Sequence, residues 1–314
     1  MKYSRILLAA AAVILLTVPA AHSQSQTGVG QAIVTILPPH NAEHHFAVSP
    51  QDVRMLKFNG KNAQVTSFTS AGDRPVELII LVDPAARVSL GTQMGAFKHF
   101  VQEIPSNTKM AFAYMEEGRA LLSAPLSSDP QQILREIQVP NGPPGIAASP
   151  YFCISDLARN WPSRDPNARR VVVLVSDGID DYYVHYNPED PYVLAAIHDS
   201  IRGGLMIYPF YWKDQTFLDQ FEWPQMAGQN LMKEISDATG GYSYWEGFGN
   251  PVSFTPFFNN LRERLANQYH LTFTAPFRGR SQVGNLRIKL TVLGAKTVDA
   301  PQQVAVYPTG PASR

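Results

Sequence analysis

Two rhythms of apolar and polar residues divide the chain into three stretches. From Gly28 to Pro75, short runs alternate polar and apolar, as in Ala32-Ile33-Val34-Thr35-Ile36 and Val53-Arg54-Met55-Leu56-Lys57-Phe58. A period of two marks half-buried strands. Asn59-Gly60 follows the second run and predicts a hairpin turn, with Gln64-Val65-Thr66-Ser67-Phe68 as the returning strand. The far end alternates likewise in Tyr269 to Thr274, Leu286 to Val292 and Gln303 to Tyr307. Neither end has strands enough to close a core alone. The flanks, residues 24–74 and 268–314, are therefore expected to pair into one small β-sandwich.

The middle, residues 75–267, reads differently. Val76 to Val82 and Val171 to Val175 are near-continuous apolar runs, and Met110 to Tyr114, Ala120 to Ala124 and Leu205 to Tyr211 predict further strands. Helical spacing separates them over residues 91–103, 129–137, 151–160, 192–202, 230–238 and 254–267, with a short strand expected near Tyr242. Strands apolar on both faces and alternating with helices predict a doubly wound, mostly parallel α/β sheet. Ligands of such sheets meet the loops at the carboxyl ends of the strands.

The first 23 residues stand apart. Lys2 and Arg5 precede an apolar run from Ile6 to Val18, then Pro19 and a small-x-small site at Ala21-His22-Ser23. This is the grammar of a secretory signal peptide, with cleavage expected before Gln24. The run is short for the roughly 20 residues of a spanning helix, and no later segment could cross a bilayer as a helix. The protein is expected in the periplasm, on the cell surface or in the medium. The chain carries 26 basic and 26 acidic residues, leaving 24 basic groups once the leader is removed. That balance gives no electrostatic reason for a nucleic-acid partner. Cys153 is the sole cysteine, so no internal disulfide can form, and it reads as a small buried apolar residue on a helix.

The strings LIILVDPAARVS (78–89) and VVVLVSDGIDD (171–181) resemble the von Willebrand factor type A domain. The first strand of that family ends in D-x-S-x-S and its fourth in an S/T-D-G turn. With the β-rich flanks, the chain is similar to secreted bacterial proteins described as having a related domain. The resemblance implies a metal-ion-dependent adhesion site at the sheet's crest. Carried over by position, Asp83 takes the first carboxylate place, Asp177 the last, and Ser149 the hydroxyl of the second loop. The two remaining hydroxyl places hold Ala85 and Arg87. Mg²⁺ or Mn²⁺ wants near-octahedral oxygen ligands. A guanidinium about 5 Å from a divalent ion costs roughly 7 kcal/mol at an effective dielectric of about 20. The reading is a degenerate site in which Arg87 pairs with Asp83 or Asp177 in the cation's place. Alternatively, Arg87 swings outward and Ser89 lends its hydroxyl, or the two aspartates only cap helices. No bound cofactor is expected; the ligand count disfavours Mg²⁺ and Mn²⁺.

Aromatic residues give a second candidate. Of the chain's 33, 18 lie between Tyr182 and Phe258. Tyr182, Tyr183 and Tyr186 follow the S-D-G turn; Trp212, Phe217, Phe221 and Trp223 follow the next strand; Trp245 and Phe248 follow the last. Such residues either supply rigid contact area at an interface or fold back as a satellite core beneath the loops. Trp212 and Trp223, with Lys213, Asp214 and Asp219 between them, are the leading expected anchors. His40, His44 and His45 read as a solvated loop cluster, and Asp180 and Asp181 as turn residues. No H-E-x-x-H, G-x-S-x-G, Walker or dinucleotide motif occurs. The expected function is that of an exported, non-enzymatic protein-binding module. A metal-assisted hydrolase on the same crest and a structural member of an envelope assembly are the alternatives.

Overall fold

The computed structural model describes residues 26–39, 46–140, 149–180, 190–213, 222–247, 249–277 and 281–309, and of residues 26, 85, 87, 88, 222–225 and 277 only the backbone. The expected leader with its cleavage site, and His40, His44 and His45, lie outside the described residues.

The N-terminal flank forms β1 (Gln26–Leu37), β2 (Val53–Phe58), β3 (Lys61–Asn62) and β4 (Gln64–Ser70). The C-terminal flank forms β10 (Gln268–Phe277), β11 (Gln282–Leu290), β12 (Thr297–Asp299) and β13 (Gln303–Pro308). In place of two facing sheets there is one antiparallel sheet, ordered β3-β2-β11-β13-β1-β10-β4, with β12 paired to β1. Its two ends are halves of one strand. Asn59 and Gly60, at φ 48° and 76°, turn β2 into β3 as the Asn-Gly pair predicts. The returning strand stays on β2 only through Lys61 and Asn62; after Ala63, whose N–H donates to Leu56 O, β4 pairs with β10. One strand thus switches partners and curls the sheet into a barrel around Val34, Ile36, Phe58, Phe68, Leu271, Phe273 and Val306.

Between the flanks lie β5 (Val76–Val82), α1 (Arg87–Leu90), α2 (Met94–Gln102), β6 (Thr108–Glu116), β7 (Arg119–Leu122) and α3 (Pro130–Arg135). They are followed by α4 (Pro150–Arg159), β8 (Arg169–Ser176), α5 (Pro191–Gly203), β9 (Leu205–Tyr211), α6 (Glu222–Thr239) and α7 (Thr255–Ala266). The sheet order is β7-β6-β5-β8-β9; β6, β5, β8 and β9 are parallel and β7 is an antiparallel edge. The sheet is therefore mixed. The strand expected near Tyr242 shrinks to one bridge between Tyr244 and Phe210. The expected helix at 91–103 starts as a 3-10 turn over Gly91–Gln93, and the one expected at 230 begins at Glu222.

All seven residues of β5 are buried, because helices cover both faces. Leu78, Ile80 and Val82 meet α2 and α7 through Phe97, Phe254 and Phe258. Ile79 and Leu81 meet α4, α5 and α6 through Leu157, Ile197 and Ile235. Asp190 caps α5, its Oδ1 accepting the N–H groups of Tyr192 and Val193, and Gly204 closes the helix at φ 68°.

Arg169, 4% exposed at the start of β8, ties the sheet to the barrel. It donates to the carbonyls of Leu265, Gly72 and Arg74 and to Gln268 Oε1 at 2.6–3.2 Å. Burial, with Arg74 adding repulsion, pushes its pKa down to about 10. Arg264 pairs with Asp299 at 2.7 Å as a second tie.

Candidate functional site

Chain order starts at β5, moves to β6 on one side, then returns to β8 on the other. The carboxyl ends of β5 and β8 form the topological switch point, where loops diverge and leave a crevice. Val82 lies opposite Val175, so the residues that follow, Asp83 and Ser176, meet. Asp83 N–H donates to Val175 O at 2.9 Å, and Ser176 Oγ donates to Asp83 Oδ2 at 2.7 Å. The same hydroxyl oxygen accepts the Gly178 N–H, while Asp177 Oδ1 accepts that of Ile179. Asp83 and Asp177 are 4% and 8% exposed.

α4 closes the crest from the next loop. Tyr151 OH donates to Gly178 O at 2.8 Å. Burial drives the Tyr151 hydroxyl well above its usual range, and Asp180, Asp177, Asp190 and Glu234 push it further. The Cys153 thiol, buried on the same helix, is raised by burial and then by Asp83 and Asp156. Burial and Asp190 likewise raise Glu234. Asp180, read as a solvated turn residue, is in fact 3% exposed.

Ser149 stands at the N-cap of α4 yet caps nothing; its Oγ is buried without a hydrogen-bond partner among the described residues, and so is that of Ser89 on α1. The donor set still falls short of the family's ion site. Ala85 has no side-chain oxygen, Arg87 brings a cation, and among the described residues no three His, Cys, Asp or Glu side chains are grouped so as to hold a metal ion. Of Ala85 and Arg87 the described backbone shows only that Ala85 lies in the 3-10 turn Pro84–Ala86 and that Arg87 opens α1. Ser176 was missed as a site residue, although the S of the S-D-G turn was the signal.

Trp212 is not an exposed anchor. Its backbone N–H donates to Ser176 O at 2.9 Å, but the residue is 2% exposed and its ring meets Phe254 edge-on at 5.1 Å. It continues the face of Met206, Tyr208 and Phe210, all in the same core cluster. The period of two along β9 turns it inward. Trp245 is partly buried against the opposite core face. Trp223 sits in the first turn of α6 with only its backbone described, and Tyr182, Tyr183, Tyr186, Asp181, Phe217, Phe221 and Phe248 lie outside the described residues.

α6 approaches the crest backbone to backbone. A Cβ on Gly228 would stand 2.1 Å from Asp177 O, and Gly178, at φ 74°, faces Gly228 O. Gly228→Ala is expected to cost about 1–3 kcal/mol by overpacking and to move the amide signals of residues 176–180. Unchanged melting and unchanged spectra would show that α6 does not position Asp177.

The switch-point carboxylates, the parallel strand order and helices on both faces make the α/β layer von Willebrand factor A-like in fold. No known family profile matches the chain, and no curated protein matches it either. Among solved structures, an aerotolerance-related membrane protein from Bacteroides fragilis is similar over 60% of this chain and 98% of its own, at 15% identity and a TM-score of 0.41. The pilus adhesin SpaC from Lactobacillus rhamnosus GG is similar over 84% of this chain, which spans 48% of the adhesin, at 9% identity and a TM-score of 0.45. The ArnB paralog VWA2 from Sulfolobus acidocaldarius is similar over 91% of this chain and 76% of its own, at 10% identity and a TM-score of 0.39.

Proposed function

We propose that this protein is an exported, non-enzymatic binding module that engages a protein partner through the crest of its α/β layer. The observation that carries the reading is the placement of Asp83 and Asp177 at the crevice between the carboxyl ends of β5 and β8, where Asp83 N–H donates to Val175 O and Ser176 joins the two loops. In this reading Arg87 pairs with Asp83 or Asp177 in place of an ion, and the loops around them supply the contact surface for the partner. The leader-like residues 1–23 support export. Among the described residues no helix is long and apolar enough to cross a membrane.

Site-specific photocrosslinking in the native envelope tests the binding face. A photoreactive residue at Ile179, half-exposed on the crest, should trap a discrete partner that one at Leu293, 97% exposed on the barrel, does not. Identical adducts at both positions, or none at Ile179, would overturn the reading.

The ion site has its own test. Millimolar Mg²⁺ or Mn²⁺ should leave the melting temperature of the wild type unchanged. Ala85→Ser with Arg87→Ser restores two hydroxyls near Asp83 in sequence, and the Ser149 hydroxyl, without a partner among the described residues, can join them. That double variant should gain stability, up to about 2.7 kcal/mol at 100 times its dissociation constant. Tight Mn²⁺ binding by the wild type, abolished in Asp83→Ala, would show the site to be intact.

A further inference from the structure

At the opposite pole, a cleft of about 510 Å³ separates the foot of the α/β sheet from β1, β10 and β13 of the barrel. Its size is that of a small-molecule site. Arg74, Arg169, Arg170 and Arg202 all line it, together with His270, and the one lining carboxylate is Asp165. None of the four arginines makes an ion pair among the described residues. Arg169 and Arg170 spend their donors on carbonyls and an amide oxygen, Arg170 on Gly203 O and Ser163 O. Arg74 donates through Nε to Asn167 O, and the Arg202 guanidinium has no hydrogen bond among the described residues. Asp165 Oδ1 is already occupied by the Asn167 N–H. Ile33, Ile201, Met206 and Val304 give the cleft an apolar part beside these charges.

Four guanidiniums against a single lining carboxylate leave the cleft with an excess of positive charge. Arg74 depresses both Arg169 and His270, in each case on top of burial. Guanidinium groups bind the oxygens of carboxylate and phosphate in pairs of charge-assisted hydrogen bonds. We propose that this cleft binds a small amphipathic anion, its carboxylate or phosphate head held by Arg74 and Arg202 and its apolar body laid against Ile33, Ile201 and Met206. Arg74 lies on the link between barrel and sheet and Arg202 at the end of α5, so the ligand bridges the two parts. This site is independent of the crest.

Calorimetry on the full mature chain tests it with octyl phosphate, octanoate, octanol and inorganic phosphate as probes. Octyl phosphate, octanoate or both should bind saturably with a dissociation constant below about 1 mM, at least about tenfold tighter than octanol or inorganic phosphate. Which head binds tighter identifies the natural anion. Arg74→Gln with Arg202→Gln, both at the solvent-facing rim, should weaken binding about tenfold or more while the melting temperature of the unliganded protein holds. Higher salt should weaken binding as well. No binding by either amphipathic anion, equal binding of octanol or inorganic phosphate, or undiminished binding in the double variant would overturn the proposal.

Discussion

A chain ending at Asn267 should have no folded structure over residues 26–70. The barrel core takes Leu271, Phe273, Ala275, Leu286, Val304, Val306 and Tyr269 from the C-terminal flank. At roughly 1.5–3 kcal/mol for each of the Leu, Phe and Val side chains among them, their burial matches the whole stability of an ordinary domain, about 5–15 kcal/mol. The backbone suffers too. β1 is paired with β10, β12 and β13, and β4 with β10, so every one of those ladders disappears. Only the two-residue pairing of β2 with β3 is local, and a lone hairpin is marginal in water. Amide exchange on the truncated chain decides the matter. Protected, well-dispersed amides over residues 26–37 and 53–70 would show that the N-terminal flank folds alone.

Trp212→Ala should be the most damaging single substitution at the crest, and it should act through stability. The residue is 2% exposed and packs in the cluster of Phe210, Phe254, Phe257 and Phe258. Truncating a buried tryptophan costs about 3–5 kcal/mol, which lowers the melting temperature by roughly 6–20 °C in a protein of this size. Trp212→Phe should recover much of the loss, because the indole N–H makes no hydrogen bond among the described residues. Leu293→Ala, at a side chain 97% exposed, serves as the control and should melt like the wild type. Wild-type melting of Trp212→Ala together with weakened partner capture would restore Trp212 as an interface anchor.

The contrast between Asp83 and Trp212 shows what kind of site information a linear sequence holds. Asp83 and Asp177 could be placed because each ends an apolar run, and in a parallel sheet such ends gather at one edge. Trp212 also ends an apolar run, but there the parity of β9 outweighed the loop that follows. Met206, Tyr208, Phe210 and Trp212 share one parity, so the inward turn was written in the spacing and was overlooked for the sake of aromatic enrichment. Ser176 was legible in the same way, as the residue that precedes Asp177 in the S-D-G turn. That the Ser149 hydroxyl leaves α4 uncapped was not legible, because an N-cap serine ordinarily caps its helix.

By itself the sequence determined those features whose causes are local. Apolar runs covered on both faces require a helix-sandwiched sheet, alternation requires half-buried strands, and Asn59-Gly60 requires a turn with positive φ. Tertiary structure decided what depends on partners far away in the chain. The partner switch at Ala63 closes a barrel where a sandwich was expected, because β10, some 200 residues later, offers β4 an edge. Arg74, Arg169, Arg170 and Arg202 are scattered through the sequence and share a cleft only once the barrel docks on the foot of the sheet. A run of residues records its own hydrogen-bonding and burial preferences, whereas which charges face one another is set by how the completed layers pack.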